Sequence, residues 1–196
     1  MQPDERDIWN RKYREAFQEP QKPDAFFLQA YDELLEPAPP GRALDVAGGL
    51  GRHALWLAER GWRVTLVDIS DVAMERVRTQ DDARGTLSKI ETKVVDLTSP
   101  SVTAGIELGR EGYDLILVFL YLQRDLFPAL IEALKPGGLL LYKTYTAEGL
   151  NIGSVRGPHN PKYLLAPDEL RQAFRELEIL QYREEGGVAE MIAKRP

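Results

Sequence analysis

Apolar segments of strand length alternate with helical segments from Arg42 onward, and this alternation limits the possible folds more than any other feature of the sequence. Strands that alternate with helices form parallel sheets, because right-handed crossovers join them across the sheet faces. Two strand-like segments around a Glu-Glu-Gly-Gly turn end the chain and predict an antiparallel hairpin. The predicted strands cover residues 42–46, 63–68, 90–96, 113–120, 138–144, 178–183 and 188–194, with helices at 53–60, 70–80, 124–134 and 167–174.

Two further helices are predicted before the first strand. Residues 4–18 carry aromatic side chains at helical spacing, and Asp24 is a suitable N-cap for a helix over residues 24–35. A proline-rich stretch at residues 36–41 then breaks the chain. The length of 196 residues suits one domain, residues 1–196, in which residues 1–36 form the N-terminal helices.

Composition excludes several classes of protein. The chain has no cysteine, which excludes disulfides, thiolate metal sites and cysteine nucleophiles, and we predict no metal site. The longest apolar run, residues 115–122, is too short to span a bilayer, and the charged N-terminal residues lack the apolar stretch of a secretory signal. We therefore expect a cytoplasmic protein that does not bind membranes.

The charge of the chain bears on the class of substrate. The net charge is −6, and lysines and arginines form no block. Nucleic-acid-binding proteins usually carry a basic surface. We therefore expect a small-molecule substrate and no nucleic acid. The sequence leaves open whether the protein is a monomer or a homodimer.

A glycine-rich turn follows the first predicted strand, in residues 43–52 (ALDVAGGLGR). Glycines let the backbone turn sharply and approach a ligand closely, and the helix that follows begins with unpaired N–H groups. Asp68 ends the next strand, 68 − 45 = 23 positions after Asp45, where an acid can bind both hydroxyls of an adenosine ribose. Asp96 ends the third strand and could accept a hydrogen bond from an adenine amine. Together these features predict a nucleoside or nucleotide site.

The same turn fits two cofactors. Residues 49–54 match the dinucleotide pattern G-x-G-x-x-A, so an NAD-dependent oxidoreductase is one alternative. Asp45 beside the turn disfavours a pyrophosphate and suits the ammonium-bearing, cationic end of S-adenosylmethionine. A terminal hairpin in place of a second mononucleotide-binding half also argues against NAD. A module that binds S-adenosylmethionine without catalysis is the other alternative.

These motifs resemble those of class I S-adenosylmethionine-dependent methyltransferases. Residues 44–52 resemble the first motif, residues 61–70 the second, Asp96-Leu97 the third, and residues 134–140 the turn before strand five. The resemblance implies a Rossmann-like α/β fold with a seven-stranded, mostly parallel sheet in the order 3-2-1-4-5-7-6, helices on both faces and a C-terminal antiparallel hairpin. It implies S-adenosylmethionine as cofactor and S-adenosylhomocysteine as product.

The resemblance also assigns roles to individual residues. Asp45 and the glycines would hold the methionine part, Asp68 the ribose, and Asp96 and Leu97 the adenine. The usual glycine–cysteine pair is replaced, because Ala47 precedes Gly48 and Gly49 follows it. The residues expected to bind the cofactor are Trp9, Tyr13, Asp45, Ala47, Gly48, Gly49, Gly51, Arg52, Asp68, Ile69, Ser70, Asp96, Leu97, Phe119 and Leu120.

A narrower resemblance is to the small bacterial tellurite-resistance and thiopurine-like branch. Residues 9–13 (WNRKY) look like its N-terminal W-x-x-x-Y helix, so residues 1–36 are expected to cover the cofactor site. Residues 157–165 and 167–170 also resemble small bacterial members. Residues 187–192 lack the His-Arg pair that tellurite-resistance enzymes carry near their C terminus, which argues against methylation of an oxyanion.

The segment 145–166 is long and irregular for a compact domain, and such segments are often binding loops. We expect it to face the acceptor, with Tyr145, Arg156 and His159 as candidate catalytic residues. His159 titrates near neutrality and could act as a base, and Arg156 could bind an anionic acceptor. The predicted reaction is methyl transfer to a small molecule by in-line displacement, in which a soft nucleophile needs little proton transfer. The acceptor atom and the need for a base stay open.

Overall fold

The computed structural model of the protein describes residues 4–16, 22–35, 39–84, 89–103, 105, 108–149, 157–158 and 160–196. Seven strands form one mixed sheet in the order β3-β2-β1-β4-β5-β7-β6. The Rossmann-like fold, the strand order and the antiparallel C-terminal hairpin are therefore confirmed. The strands are β1 (Arg42–Val46), β2 (Arg63–Asp68), β3 (Ile90–Val94), β4 (Tyr113–Phe119), β5 (Leu134–Tyr145), β6 (Glu178–Glu185) and β7 (Val188–Lys194).

Backbone contacts divide the chain into two compact units, and the first is Met1–Leu97. In this unit β1, β2 and β3 are parallel, so their carboxyl ends lie at the same edge. The buried core includes Phe27, Leu44, Leu57, Leu66 and Met74. Its helices are α1 (Glu5–Glu15), α2 (Ala25–Ala30), α3 (Arg52–Glu59) and α4 (Asp71–Arg84), and a π-helical turn at Tyr31–Leu35 extends α2.

The second unit, Thr98–Pro196, holds the other four strands. Strand β4 is parallel to β5, and β7 is antiparallel to both β5 and β6. Glu190 of β7 is 4% exposed. It lies 3.0 Å from Lys143 of β5 and 2.6 Å from Arg183 of β6, its neighbours across the strands. The helices are α5 (Pro100–Thr103), α6 (Phe127–Ala133), which follows a 3-10 turn at Arg124–Leu126, and α7 (Glu169–Ala173).

Several predicted boundaries differ from the structure. Strand β5 begins at Leu134, because the predicted Pro-Gly-Gly turn is a bulge inside the strand, where the register with β4 shifts. Helix α7 begins at Glu169 after Asp168, whose φ of +57° is left-handed, so Pro167 lies before the helix and not at its first position. The short α5 was not predicted. In the part of the chain that is described, no helix has the length and apolar character needed to cross a bilayer.

Candidate cofactor site

The turn after β1 brings the backbone close to a carboxylate. Ala47, Gly49 and Gly51 have φ of +52°, +55° and +71°, so left-handed residues alternate along the turn. Gly48 is needed for a different reason, because a Cβ on it would lie 2.7 Å from Cγ of Asp45. The turn ends at Gly51, which precedes the first residue of α3. The predicted glycine turn between a strand and a helix is thus present.

The carboxyl group of Asp45 is buried beside this turn. It is 1% exposed, and Oδ2 accepts no hydrogen bond from any residue that the structure describes. Burial raises its pKa to about 7, although Arg52 and the backbone N–H of Ala54 favour the ionised form. A buried acceptor without a partner costs free energy, and such atoms are uncommon in folded proteins. Oδ2 therefore offers a free acceptor to a cationic ligand.

Asp68 ends β2 close to the same turn. Its Oδ2 accepts from the backbone N–H of Gly49 at 3.0 Å, and its Oδ1 from that of Ser70 at 2.9 Å. Burial raises its pKa, whereas these backbone donors lower it. Asp68 therefore ties the glycine turn after β1 to the turn after β2. Carboxylates retain further acceptor positions when each oxygen accepts one bond, so Asp68 can still accept from ligand hydroxyls.

Helix α1 places two aromatic residues near the glycine turn. A Cβ on Gly49 would lie 2.7 Å from the hydroxyl oxygen of Tyr13, so that hydroxyl lies against the turn. Trp9 stacks on Tyr13 with ring centroids 5.7 Å apart, and it remains 39% exposed. Burial, with Asp68 and Asp45 nearby, raises the pKa of Tyr13, so its hydroxyl stays protonated at neutral pH.

Asn10 was missed by sequence reasoning, although it is one of the buried polar residues. It is 5% exposed, and its Nδ2 donates to Oδ1 of Asp71 at 2.7 Å. Its Oδ1 accepts from the hydroxyl of Ser70 at 2.6 Å. Ser70 also caps α4, because its Oγ accepts from Ala73 N–H at 3.0 Å. A polar residue inside the W-x-x-x-Y segment was the available signal, but the pattern treats that position as variable.

The remaining expected residues of the first unit surround this centre less closely. Arg52 opens α3 and lies 3.9 Å from Asp24, the predicted N-cap of α2. Ile69 is half-buried between Asp68 and Ser70. Asp96 lies two residues past the end of β3 and is exposed, whereas Leu97 is buried. Within this unit the structure thus brings Tyr13, Asp45, the glycines, Asp68 and Ser70 together.

In the second unit, Phe119 is the last residue of β4, and the next residue, Leu120, has a left-handed φ of +59° and is 43% exposed. Tyr145 ends β5, and a Cβ on Gly157 would lie 2.8 Å from its ring. The other two candidate catalytic residues, Arg156 and His159, lie outside the described residues.

Arg124 has a structural partner set that the sequence did not indicate. It donates to the backbone carbonyls of Lys162 and Leu164, each at 2.9 Å, and pairs with both carboxylate oxygens of Glu169. Glu169 in turn accepts from Ala166 N–H at 2.8 Å. This bonding lowers the pKa of Glu169, with the Arg124 hydrogen bond as the main cause. Arg124 therefore fixes the last part of the segment that precedes α7.

The first unit fits a cationic nucleoside-type ligand. The free Oδ2 of Asp45 suits a positive group, and Asp68 suits ribose hydroxyls. Gly48 lets the backbone of the turn lie against the Asp45 carboxylate, since a side chain there would collide with it. Within the described ranges, no group of three or more His, Asp and Glu residues is arranged to hold a metal ion.

Comparisons with known proteins agree with this geometry. The chain is 30% identical over 161 residues to a tRNA 5-carboxymethoxyuridine methyltransferase of Escherichia coli K12, which covers 74% of this chain and 60% of that protein. TehB from Haemophilus influenzae superposes with a TM-score of 0.70 at 20% identity, over 97% of this chain and 67% of that chain. A structure solved for the conversion of a disulfide bond into a thioacetal group during echinomycin biosynthesis superposes with a TM-score of 0.71 at 19% identity, over 97% and 91%.

These matches differ in what they establish. The two superpositions show the fold, and this chain spans only 60% of the length of the curated E. coli relative. The model of the tellurite resistance protein TehB family matches residues 28–193, which is most of the chain. The chain therefore belongs to the TehB family, in the tellurite-resistance branch of the class I S-adenosylmethionine-dependent methyltransferases.

Proposed function

We propose that the protein transfers a methyl group from S-adenosylmethionine to a small-molecule acceptor by in-line displacement. The observation that carries this proposal is the buried carboxylate of Asp45, whose Oδ2 has no hydrogen-bond partner among the described residues. The carboxylate lies beside a turn in which position 48 has room for glycine only. A buried free acceptor at that position favours a ligand with a positive group. NAD has a pyrophosphate for this region, which a carboxylate disfavours.

When bound, S-adenosylmethionine supplies an activated methyl group on a sulfonium centre. Asp45 would hold the cationic methionine end, and Asp68 would accept from the ribose hydroxyls. Tyr13 and Trp9 would cover the bound nucleoside and exclude water. The chain then has to hold the acceptor nucleophile in line with the methyl carbon, and positioning of this kind can supply a large part of the rate enhancement.

The acceptor side of the proposal rests on the second unit. Tyr145, Arg156 and His159 stay as proposed acceptor-facing residues, with His159 as the base if the acceptor atom carries a proton. Phe119 and Leu120 stay as proposed neighbours of the transferred methyl group. The exposed, left-handed Leu120 directly after β4 supports this, because strained residues at strand ends often serve a site.

Calorimetric titration with S-adenosylhomocysteine and NADH tests the cofactor. We expect S-adenosylhomocysteine to bind and NADH not to bind. Asp45→Asn, which keeps the shape but removes the charge, should weaken the binding of S-adenosylmethionine roughly 10- to 100-fold, the scale of a lost charge-assisted hydrogen bond. Asp82→Asn, at an exposed carboxylate on α4, is the matched control and should bind as the wild type does. If the wild-type protein binds neither S-adenosylmethionine nor S-adenosylhomocysteine, the proposal is refuted.

A screen with methyl-labelled cofactor tests the acceptor. It should contain thiols, amines, carboxylates and bulk tRNA, because the E. coli relative is a tRNA methyltransferase. The net charge of −6 supports labelling of small molecules and not of tRNA. The proposal also keeps a cytoplasmic location and a monomeric or homodimeric state, which cell fractionation and light scattering would test.

A further inference from the structure

Helix α1 contacts its unit through polar groups and through the partly buried side chains of Ile8 and Tyr13. The whole helix lies within the described residues, and Asn10 is the one residue in it that is buried. At the C-terminal end, Arg76 of α4 donates to the backbone carbonyls of Ala16 and Arg14, at 3.3 and 3.2 Å. Since no apolar residue of α1 is fully buried, the hydrophobic effect supplies only part of the energy that docks the helix. Specific hydrogen bonds therefore help to hold it in position.

Asn10 makes the central pair of these bonds, and both atoms of its amide are used. Nδ2 donates to Asp71, while Oδ1 accepts from the Ser70 hydroxyl, with a longer contact from Val72 N–H at 3.5 Å. The hydrogen bond from Asn10 is also the main reason why the pKa of Asp71 is lowered. Asn10 thus joins α1 to the turn between β2 and α4.

That turn leads directly to the proposed ribose-binding carboxylate. Ser70 contacts Asn10 through its hydroxyl and donates its backbone N–H to Asp68. Asp68 accepts from Gly49 N–H, and the hydroxyl of Tyr13, one turn after Asn10 on α1, lies against Gly49. The contacts form a closed path from α1 through Asp68 to the glycine turn and back to α1.

We propose that Asn10 is a positioning residue for cofactor binding. Its two hydrogen bonds fix α1 at the β2–α4 turn, and this position places Tyr13 over the glycine turn and orders the backbone donors around Asp68. The inference rests on the proposed function, since it names a residue that tunes that same site without touching the ligand.

An exchange of the two hydrogen-bonding partners tests this role. Asn10→Asp places a carboxylate opposite Asp71 and should weaken S-adenosylhomocysteine binding about tenfold, the equivalent of roughly 1.4 kcal/mol. Asp71→Asn alone should have little effect, because an asparagine can still accept from Asn10. The double variant Asn10→Asp/Asp71→Asn restores a donor and an acceptor in reversed order. It should recover the affinity of Asp71→Asn within about twofold, which corresponds to about 0.4 kcal/mol of non-additivity.

A second readout reports on α1 without any ligand. Limited trypsin digestion cleaves at Arg6, Arg11, Lys12 and Arg14, and Asn10→Asp should speed cleavage there while the double variant slows it again. Arg11→Gln is the matched control for affinity, because it makes the same −1 change in charge at the exposed neighbouring residue, and it should leave affinity unchanged. Because Arg11→Gln removes one tryptic site, its cleavage rate is compared with that of the wild type at Arg6, Lys12 and Arg14.

The outcomes separate this inference from the proposed function. If the wild type binds S-adenosylhomocysteine and Asn10→Asp binds it with the same affinity, the inference about Asn10 is overturned and the proposed function is not. A loss in Asn10→Asp that the double variant fails to recover would also overturn it, since the loss would then not lie in the hydrogen bond to Asp71. No binding by the wild type would overturn both.

Discussion

At the residue scale, ionisation of Asp45 favours the binding of a cationic ligand but lowers the stability of the folded protein. Its pKa of about 7, against an ordinary value of 3.8, means that the folded protein keeps a proton which the unfolded chain releases as pH rises. The stabilisation from this proton is complete below about pH 4 and is lost as pH rises to about 7. An ionised, buried Asp45 is therefore unfavourable for folding, and its retention is understandable if a cationic ligand pairs with it.

Asp45→Asn should consequently stabilise the free protein at pH 8, where the wild type buries a charge. We expect a gain of a few kcal/mol in the free energy of unfolding, since each unit of pKa shift corresponds to about 1.4 kcal/mol. The gain should vanish towards pH 4, where both side chains are neutral. Urea denaturation at pH 4, 6 and 8 measures this gain. If the stability of Asp45→Asn relative to the wild type is lower at pH 8 than at pH 4, the prediction is contradicted.

The site could be predicted in part because its central residues lie in short local patterns. Asp45, Gly48 and Asp68 occupy fixed places in a strand–turn–helix and at the end of the next strand, so the pattern indicated these residues and the resemblance assigned their roles. The conformation at Ala47 was not predictable, because the left-handed residues are Ala47, Gly49 and Gly51, while Gly48 serves the close approach to Asp45. Asn10 was missed since its partners are about 60 residues away in sequence.

At the scale of elements, Arg124 makes a long-range link within the second unit to the segment before α7. One guanidinium bonds two carbonyls and one carboxylate, a set that needs the planar fork of arginine. The sequence indicated that Arg124 begins a helix, and it did not indicate these partners. The turn predicted within residues 134–140 is a bulge in the structure, because Gly137 N–H and the Gly138 carbonyl pair with Arg195 and keep β5 attached to its neighbour.

Arg124→Lys keeps the charge but cannot keep all of these bonds. We expect the backbone amides of residues 162–166 to exchange hydrogen about tenfold faster, which corresponds to roughly 1.4 kcal/mol of lost local stability. Hydrogen exchange followed by mass spectrometry measures this. Arg171→Lys, at an exposed pair with Asp168 3.9 Å apart, is the control and should change little. Equal exchange in the wild type and Arg124→Lys would mean that the segment is fixed by other contacts.

At the scale of the whole molecule, the succession of strands and helices along the chain is the feature that the sequence patterns predicted best. Apolar strands, helices between them and a terminal hairpin are repeated patterns, and each is set by local periodicity. The order of the strands came from the resemblance, since periodicity does not specify which strands are neighbours. The prediction that residues 1–196 form one domain concerns cooperativity, and unfolding experiments can test it directly.

The tryptophans allow that test, because Trp9, Trp56 and Trp62 all belong to the first unit, Met1–Leu97. Tryptophan fluorescence therefore reports on this unit. The chain has no cysteine, so Glu176→Cys, at an exposed residue of the second unit, accepts a single fluorescent label. Since the strands of both units belong to one seven-stranded sheet, we expect the two signals and far-ultraviolet circular dichroism to change at the same urea concentration. Two separated midpoints would show that the chain unfolds in two steps and that the prediction of one domain is wrong.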